Sequence, residues 1–543
     1  MNKIYDAIVI GAGINGLTAA AYLARAGRRI LVVERREVLG GVAAAEEIAP
    51  GCRVSPCVDD VGWIPRQMVR ELDLPRHGFD DVAPSTRVAA ARRDGGWLTF
   101  SDDVAGTAAA LRRYSPADAQ RWPLFAQQMA PLAGFLEALY SSPAPRVDVR
   151  SAADAFRLLG VGRRLRGLGK RGMVELLRTV PMAVAELVED WFEDQALQGT
   201  LAAAAVKGVR QGPRSPGTAF LLLHRHVGGR AGMFHSRPRV QGGAGILVAA
   251  LATAVTHHGG EMLRAAEVTG IRVEQGRCQG VVLADGQEID SALVISSADA
   301  RRTFLQLMDP WHLDPTFVQA VRNIRYRGVT TKINLVLSAL PRLRDFNANG
   351  NAAPLPDIVS IAPSIETVER AYDAAKYGQV SADPYLEVTF PAVATGVPSA
   401  NVDLSAEARS AKVDRALRVM SVHVQYTPYD VRGSLWDEAS RDALGNSVVG
   451  RLTELMPDLQ DLIVHRQVLT PRDIEETYAV TEGSLSHGEL ALDQILFMRP
   501  VPGWAEYRTP IEGLFLCGAA CHPGNGVAGG AGRLAARKVL GES

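Results

Sequence analysis

The sequence predicts an α/β protein in which a Rossmann-type nucleotide-binding domain carries an inserted α+β domain. Three separated segments predict the nucleotide-binding domain. Residues 4–34 read as an apolar strand, a glycine turn, an Ala-rich helix and a second apolar strand, which together form one βαβ unit. Residues 267–299 alternate apolar and polar side chains in short strands separated by glycine turns, and residues 510–540 read as a strand, a glycine-rich loop and a helix.

The composition bounds the classes of protein to consider. A chain of 543 residues is too long for one ordinary core, so two or three lobes are expected. With 59 basic and 59 acidic residues the formal charge balances, so no overall field would attract nucleic acid. The N-terminus has no signal or transit composition, and no apolar run reaches the roughly 18 to 20 residues that span a bilayer. We expect a cytoplasmic protein with at most peripheral membrane contact.

The glycine turn after the first strand has the G-x-G-x-x-G spacing of a dinucleotide site. Gly11 allows the tight turn, Gly13 lets the backbone approach a diphosphate, and Gly16 lets the helix pack closely on the strand. Glu34 stands at the end of the second strand, where a carboxylate accepts hydrogen bonds from an adenosine ribose and repels a 2′-phosphate. The unit therefore predicts a dinucleotide other than NADP.

The residues that follow favour FAD over NAD. Arg36, Gly40 and Gly41 belong to an E-x-R-x-x-x-G-G phrase that lets the chain fold back along the diphosphate. This phrase is similar to the FAD-binding signature of glutathione-reductase-type flavoproteins and amine oxidases. The resemblance implies an α/β fold with a glutathione-reductase-type FAD-binding Rossmann domain and an inserted α+β substrate domain. It also implies that the backbone at Val268 meets the adenine.

The C-terminal segment supplies the third part of the expected FAD site. Its strand ends at Gly518 and Ala519, and the glycine-rich loop passes through Gly526 and Val527. A helix that starts between Val527 and Gly530 would direct backbone N–H groups toward the flavin pyrimidine, where negative charge collects on reduction. The loop also fits G-x-G-x-x-G, but no complete second βαβ unit follows it, so we predict a single nucleotide site.

In their order along the chain, these segments resemble the phytoene desaturase family of FAD oxidoreductases, in particular its branch with a pyridine-nucleotide-disulfide-oxidoreductase-like domain. The resemblance runs nearly end to end and is carried by GGVAAAEEIAPGCRVS, QGGAGILVAALATAVTHHGGE, QYTPYDVRGSLWDE, HGELALDQILFMRP and GLFLCGAACHPGNGVAGG. Val42 departs from the amine oxidases, which usually carry Arg after the glycine pair. The resemblance implies FAD as the cofactor and hydride transfer to flavin N5.

Cys52 and Cys57 are separated by four residues, which is the spacing of flavin-linked disulfide reductases. In those enzymes the first redox cysteine follows the glycine pair by about two residues at a helix start, whereas Cys52 lies eleven residues after Gly41. The middle of the chain also lacks a second Rossmann unit for a nicotinamide donor. We therefore predict that Cys52, Cys57, Cys517 and Cys521 are buried packing residues.

Because the FAD segments lie at both ends and in the middle, the rest of the chain is expected to form an inserted lobe. We assign residues 1–77, 236–304 and 486–543 to the FAD-binding domain and residues 78–235 and 305–485 to the substrate domain. An apolar pocket is expected between the two lobes.

The sequence predicts the local structure of three segments of the substrate lobe. Residues 158–177 interleave five basic residues with apolar ones, which predicts a solvated helix pair, with an amphipathic membrane-surface segment as the alternative. Residues 407–424 predict a helix. Residues 221–227 predict a strand that would turn His224 and His226 to one side, but no third ligand stands nearby, so no metal site is predicted.

One side chain is a candidate for a catalytic role. His487, in SLSHGELALDQ, is the candidate for a polar group beside the isoalloxazine, with a structural role as the alternative. Flavin chemistry requires no protein base, because the cofactor itself accepts the hydride.

The predicted enzyme moves a hydride between a C–H group of an apolar, polyene-like substrate and flavin N5, with desaturation as the default direction. A diffusible acceptor, which is oxygen, a quinone or a nicotinamide, would reoxidise the flavin. The alternatives are a natural-product tailoring oxidase or reductive cyclase, an amine oxidase with an aromatic cage at the flavin, and a non-enzymatic scaffold that keeps the FAD fold. The sequence indicates no nucleic-acid partner and no oligomeric state.

Overall fold

The computed structural model describes residues 5–79, 81–82, 87–101, 103–145, 152–229, 234–235, 237, 239–346, 354–391, 417–433 and 436–541. The strands in these ranges are β1 (Ala7–Ile10), β2 (Ile30–Val33), β3 (Glu46–Ala49), β4 (Cys52–Val54), β5 (Asp81–Val82), β6 (Val88–Ala91), β7 (Trp97–Phe100), β8 (Arg239–Val240), β9 (Glu261–Leu263), β10 (Val268–Glu274), β11 (Arg277–Leu283), β12 (Glu288–Asp290), β13 (Val294–Ser296), β14 (Thr330–Leu337), β15 (Ile358–Ile361), β16 (Leu386–Thr389), β17 (Arg418–Gln425), β18 (Ile463–Leu469) and β19 (Leu514–Leu516). The helices are α1 (Ile14–Arg25), α2 (Arg66–Glu71), α3 (Val104–Leu111), α4 (Pro116–Tyr140), α5 (Ala152–Gly167), α6 (Gly169–Thr179), α7 (Val184–Trp191), α8 (Gln195–Val206), α9 (Thr218–His226), α10 (Ala244–His257), α11 (Ala300–Leu305), α12 (Pro315–Arg322), α13 (Ile365–Lys376), α14 (Glu438–Thr453), α15 (Leu459–Leu462), α16 (Pro471–Tyr478) and α17 (Gly530–Val539).

A parallel sheet of order β19-β13-β1-β2-β9 forms the centre of the nucleotide-binding lobe. In β1, Ile8 pairs with Val294 of β13 on one side and with Leu31 of β2 on the other. Every residue of β1 and β2 is buried, as expected for apolar runs in a parallel sheet covered on both faces. Helices α1, α10 and α17 and the antiparallel layer β10-β11-β12 share its core. The predicted βαβ unit is thus confirmed.

The two ends of the chain meet where α17 packs against α1. A Cβ placed on Gly532 of α17 would lie 2.1 Å from the backbone oxygen of Asn15, so only glycine permits this approach. Next to it, the buried Arg533 donates two hydrogen bonds to the carboxylate of Glu71, at 2.9 and 3.1 Å. Tyr22 of α1 donates to the same carboxylate. The last helix therefore completes the core that the first helix begins.

A mixed sheet of order β18-β14-β17-β16-β15-β6-β7 forms the centre of the second lobe. Alternate residues of β6 enter different cores, because successive side chains of a strand point to opposite faces. Val88 and Ala90 pack with helices α4, α7, α8 and α9, whereas Ala89 and Ala91 pack with α14. The second lobe is thus α+β, and the residue boundaries assigned to the two lobes stay a prediction.

Two local predictions are wrong. Residues 221–227 do not form a strand, because residues 221–226 are the last part of helix α9, so His224 and His226 do not share one face. Residues 418–424 do not form a helix either, because they pair as β17 between β14 and β16, and seven of its eight residues are buried. The remainder of that predicted helix, residues 407–416, lies outside the described residues.

The basic segment at residues 158–177 forms parts of the helix pair α5 and α6, as the preferred interpretation predicts. The pair exposes Phe156, Leu159, Val174 and Leu177 to solvent. No helix within the described ranges has the length and apolar character to cross a bilayer. Contact with a membrane surface stays a prediction.

The contact between α1 and α17 can be tested by replacing Gly532 with Ala. The added methyl group would overlap the Asn15 carbonyl, and overpacking of this kind costs about 1–3 kcal/mol. We expect a lower midpoint in a guanidinium titration followed by tryptophan fluorescence. Gly450→Ala in α14 is the matched control, because a Cβ there meets no atom within 4 Å and Ala favours a helix by up to ~1 kcal/mol. Equal midpoints for the two variants would contradict this account of the packing.

Candidate active site

A large cavity lies where the glycine turn after β1, the end of β2 and the C-terminal loop come together. It measures about 1990 Å³ including its mouth. The sequence-predicted residues that line it are Gly11, Gly13, Gly16, Glu34, Arg36, Gly40, Gly41, Val268, His487, Ala519, Gly526 and Val527. The exception is Gly518, which is not part of the lining. A Cβ at Gly518 would lie 2.3 Å from the backbone oxygen of Ser297, so this glycine allows β19 to approach the end of β13.

The glycine turn is shaped to receive a phosphate group. Gly11 has a φ of +88°, and a Cβ on Gly16 would lie 2.1 Å from the Gly11 oxygen, so α1 begins very close to the strand. Gly13 precedes the first turn of α1, and a Cβ there would meet no protein atom within 4 Å. The space in front of Gly13 therefore belongs to the cavity, and the positive end of α1 faces it.

Glu34 holds the turn in place and keeps acceptor capacity for a ligand. Its two carboxylate oxygens accept hydrogen bonds from the backbone N–H groups of Ala12 at 2.8 Å and Arg36 at 3.0 Å. Only 7% of the residue is exposed. Each oxygen has a second lone pair, which fits the predicted hydrogen bonds to ribose hydroxyls.

Arg36 is positioned by side chains rather than left free. Its guanidinium makes two hydrogen bonds to Glu46, at 3.1 and 2.8 Å, and its carbon lies 4.8 Å from the ring centre of Tyr478. Tyr478 donates its own hydroxyl to Glu46 at 2.9 Å. Much of the charge of Arg36 is therefore neutralised inside the protein.

Arg302 is a cavity-lining cation that the sequence analysis missed. It lies on α11, directly after the carboxyl end of β13, and its Nε is buried without a hydrogen-bond partner. No described carboxylate forms an ion pair with it. The signal that could have found it is its place in the chain, because ligands of parallel α/β sheets bind at the carboxyl ends of the strands. The donor set thus fits a dinucleotide diphosphate.

The C-terminal loop is held at the cavity by residues from other parts of the chain. The backbone N–H of Trp63 donates to the Gly526 oxygen at 2.8 Å, and the backbone oxygen of Trp63 accepts from the N–H of Ala528 at 2.8 Å. The Nε2 of His224 lies 3.0 Å from the Asn525 oxygen, and its Nδ1 lies 2.9 Å from the Tyr140 hydroxyl. Because a carbonyl only accepts, Nε2 carries the proton and Nδ1 accepts from the tyrosine.

His224 is thus neutral, and burial, together with Arg237, holds its pKa well below the usual range. Its role is to support the loop. Helix α17 then begins at Gly530, at the end of the interval that the sequence predicted.

His487 lines the same cavity in a left-handed backbone conformation, with φ at +50°. Its Nδ1 is buried without a hydrogen-bond partner. Burial lowers its pKa, an effect that Arg499 and Arg302 strengthen and Asp299 opposes, so the ring is neutral at pH 7. A neutral imidazole with a vacant nitrogen is compatible with the predicted polar contact to the isoalloxazine.

One wall of the cavity, formed in part by Asp59, Lys207, Arg225 and Lys332, carries more charge than predicted. Lys332 donates from Nζ to Asp59, and Lys207 donates to Glu387, which lies in the buried interior of β16. Arg225 lines the same wall. The expected pocket between the lobes therefore has ionic as well as apolar surface.

All five cysteines are free and buried. Cys52 packs with Val54, Val336 and Val419, whereas Cys57 belongs to a different apolar cluster. Burial raises the pKa of the Cys57 thiol to about 12. Neither cysteine has the stabilised thiolate of a redox pair.

Comparison with known proteins agrees with this geometry. Residues 9–58 match the family model of NAD(P)-binding Rossmann-like domains, and residues 108–540 match that of flavin containing amine oxidoreductases. The chain is 32% identical over 555 residues to pyridine nucleotide-disulfide oxidoreductase domain-containing protein 2 of Rattus norvegicus, covering 99% of this chain and 93% of that protein. It is 25% identical over 551 residues to a phytoene desaturase (neurosporene-forming) of Rhodobacter capsulatus, covering 98% and 93%.

A solved structure has the same fold. Cyclohexylamine oxidase from Brevibacterium oxydans superposes with a TM-score of 0.56 at 13% identity, covering 99% of this chain and 98% of that one. The predicted fold class and the resemblance to phytoene desaturases are therefore confirmed, and the cofactor is FAD. The chain belongs to the family of flavin containing amine oxidoreductases and is an FAD-dependent oxidoreductase.

Proposed function

We propose that this oxidoreductase desaturates a substrate with a largely apolar, polyene-like body. A hydride leaves one carbon for the bound cofactor, and a proton leaves the adjacent carbon for water at the open mouth of the cavity. The observation that carries the proposal is one continuous cavity in which the nucleotide-binding residues meet residues of the substrate lobe. Val58, Val209 and Leu490 give part of its lining an apolar character.

Held by the glycine turn after β1, Glu34 and Arg302, FAD would supply a hydride acceptor at N5 and would be reoxidised by a second acceptor. The protein contributes position and exclusion of water. The loop before α17, supported by Trp63 and His224, orients the positive end of that helix toward the cavity, where it stabilises negative charge. The second acceptor is proposed to be a diffusible molecule, namely oxygen, a quinone or a nicotinamide.

Amine oxidation is the second candidate, because the family includes amine oxidases. An amine substrate would be favoured by two aromatic rings that face each other across the flavin. Among the described residues, Tyr478 is the large aromatic side chain that lines the cavity, and Phe234 is the one that lines a smaller adjoining space. Tyr478 is held by Arg36 and Glu46, and Phe234 packs on Phe100 at 5.0 Å between ring centres. This lining favours desaturation over amine oxidation.

We propose that Arg302 binds the FAD diphosphate. Amine oxidases usually carry an arginine at the position of Val42, and Arg302 takes its place here. Its unpartnered Nε and its position beside the carboxyl end of β13 support this role. Arg guanidinium groups bind phosphates through two parallel hydrogen bonds, which gives both affinity and orientation.

A flavin spectrum and an anaerobic substrate screen test the proposed reaction. The purified protein should be yellow, with bands near ~370 and ~450 nm. Polyenes, offered as hydrocarbons and as carboxylic acids, should bleach the longer-wavelength band, whereas putrescine and cyclohexylamine should leave it unchanged. Bleaching by an amine, with none by any polyene, would reverse the choice between the two classes.

Replacing Arg302 with Ala should weaken FAD binding by about tenfold or more, because a hydrogen bond to a charged group contributes about 1.5–3 kcal/mol. Titration of the apoprotein with FAD, followed by quenching of flavin fluorescence, measures the effect. Arg322→Ala removes an exposed arginine at the end of α12 and should bind FAD as the unmodified protein does. If both variants bind FAD equally, the diphosphate is held elsewhere.

Replacing Cys52 with Ser should leave the rate of flavin reduction largely unchanged, because its side chain packs in an apolar cluster outside the cavity lining. In the folded protein at pH 7, the Cys57 thiol should resist alkylation by iodoacetamide, since its pKa of about 12 leaves almost no thiolate. Reactivity should appear only on unfolding. Loss of turnover in the Cys52→Ser variant with FAD still bound would restore a redox role for this cysteine.

A further inference from the structure

We infer that the substrate carries a carboxylate, and that Arg225 binds it in a chamber beside the flavin cavity. The inference rests on the proposed function and narrows its substrate class. The inner chamber, as we call this space, has a cavity volume of about 60 Å³. Its lining residues are Asp59, Asp60, Ala204, Lys207, Arg225, His226, Phe234, His235, Arg237, Arg239, Ile358, Glu387 and Thr389.

The inner chamber adjoins the flavin cavity. Asp59, Asp60, Lys207 and Arg225 line both spaces, so a molecule that reaches the flavin can extend past these four side chains. Lys207 directly follows α8, and Arg225 lies in the last turn of α9, both in the substrate lobe. The two side chains face the strands β15 and β16.

The described lining of the inner chamber has an excess of positive charge. Lys207 is paired with Glu387, and Asp59 is paired with Lys332 from the flavin cavity. Asp60 remains, opposed by Arg225, Arg237 and Arg239, and none of these three arginines forms an ion pair with a described carboxylate. Burial opposes ionisation of Asp60, but Arg237 and the Gly62 amide outweigh it and lower its pKa, so Asp60 is charged.

The histidines of the inner chamber do not add to this charge. Burial lowers the pKa of His235 to about 4 and also lowers that of His226. The excess therefore comes from arginine and does not disappear near neutral pH.

Arg225 has the donors that an anion requires. Its Nη2 donates to the backbone oxygen of Lys207 at 2.6 Å, which is its one hydrogen bond to the described residues. Four N–H donors remain, and the side chain is only partly buried because it faces the two cavities. Arg237 differs, since its Nε and Nη2 donate to the oxygens of Val227 and His224 and stabilise the negative end of α9.

The geometry selects a carboxylate with a hydrocarbon body. An arginine fork binds a planar carboxylate through two parallel hydrogen bonds. Ala204, Phe234 and Ile358 give the inner chamber apolar surface beside this charge. An organic acid bound there would place its carboxylate against Arg225 and direct its chain toward the flavin cavity, where a C–H group several bonds away is oxidised.

The test uses the FAD-loaded protein and two straight-chain acids, octanoate and laurate, with octanol and dodecanol as uncharged partners of equal length. Calorimetry and perturbation of the flavin spectrum measure binding. The acids should bind at least about tenfold more tightly than the alcohols, as expected for a charge-assisted hydrogen bond. Arg225→Gln should remove that preference, Arg225→Lys should keep part of it, and the surface variant Arg322→Gln should behave as the unmodified protein.

Three results would each overturn the inference: no binding of either acid, equal binding of acids and alcohols, or unchanged acid binding by Arg225→Gln. The FAD content and melting temperature of each variant show whether it is folded, and the comparison of acids with alcohols needs no variant. Calorimetric binding does not depend on turnover. A protein that binds these acids but whose flavin no polyene reduces would therefore contradict the proposed reaction and leave the carboxylate site standing.

Discussion

The site depends on a close backbone contact between residues 62–63 and the C-terminal loop. A Cβ on Gly62 would lie 2.2 Å from the Gly526 oxygen, and the two hydrogen bonds between Trp63 and the loop leave no room for a side chain there. The glycine turn after β1 and this loop come from opposite ends of the chain. Because each forms one part of the cavity, the cavity exists only when both ends are folded against each other.

The sequence predicted the parts of the site in which a function resides in one short segment. Gly11, Gly13 and Gly16 combine turn, phosphate approach and helix packing within six residues, so their spacing indicates their roles. The role of Glu34 was predicted from its position at the end of the second apolar strand. Gly518 was predicted at the cofactor, but it does not line the cavity and lies against the backbone oxygen of Ser297. A glycine that admits a ligand and one that admits a neighbouring backbone look the same in a sequence.

The charged wall could not be predicted from the sequence, because no local pattern connects its members. Lys207 follows α8, Lys332 lies in β14 and Glu387 lies in β16, and only the folded sheet brings them close to one another. His224 illustrates a different limit. A leucine run followed by HRHV suits a strand or a helix, and the packing of α9 against α4 and α8 decides in favour of the helix.

The buried ion pairs of this wall are better explained by binding than by stability. Removing two charges from water costs several kcal/mol per ion, and apolar pairs of similar volume are often equally stable. The FAD half of the cavity relies mainly on backbone groups and glycines, which the family shares as a fold. The other half is lined by side chains from the ends of α8 and α9 and from β16, which belong to the proposed substrate site. Differences in substrate between this chain and its desaturase and amine oxidase relatives should therefore reside in these side chains, with the cofactor lobe unchanged.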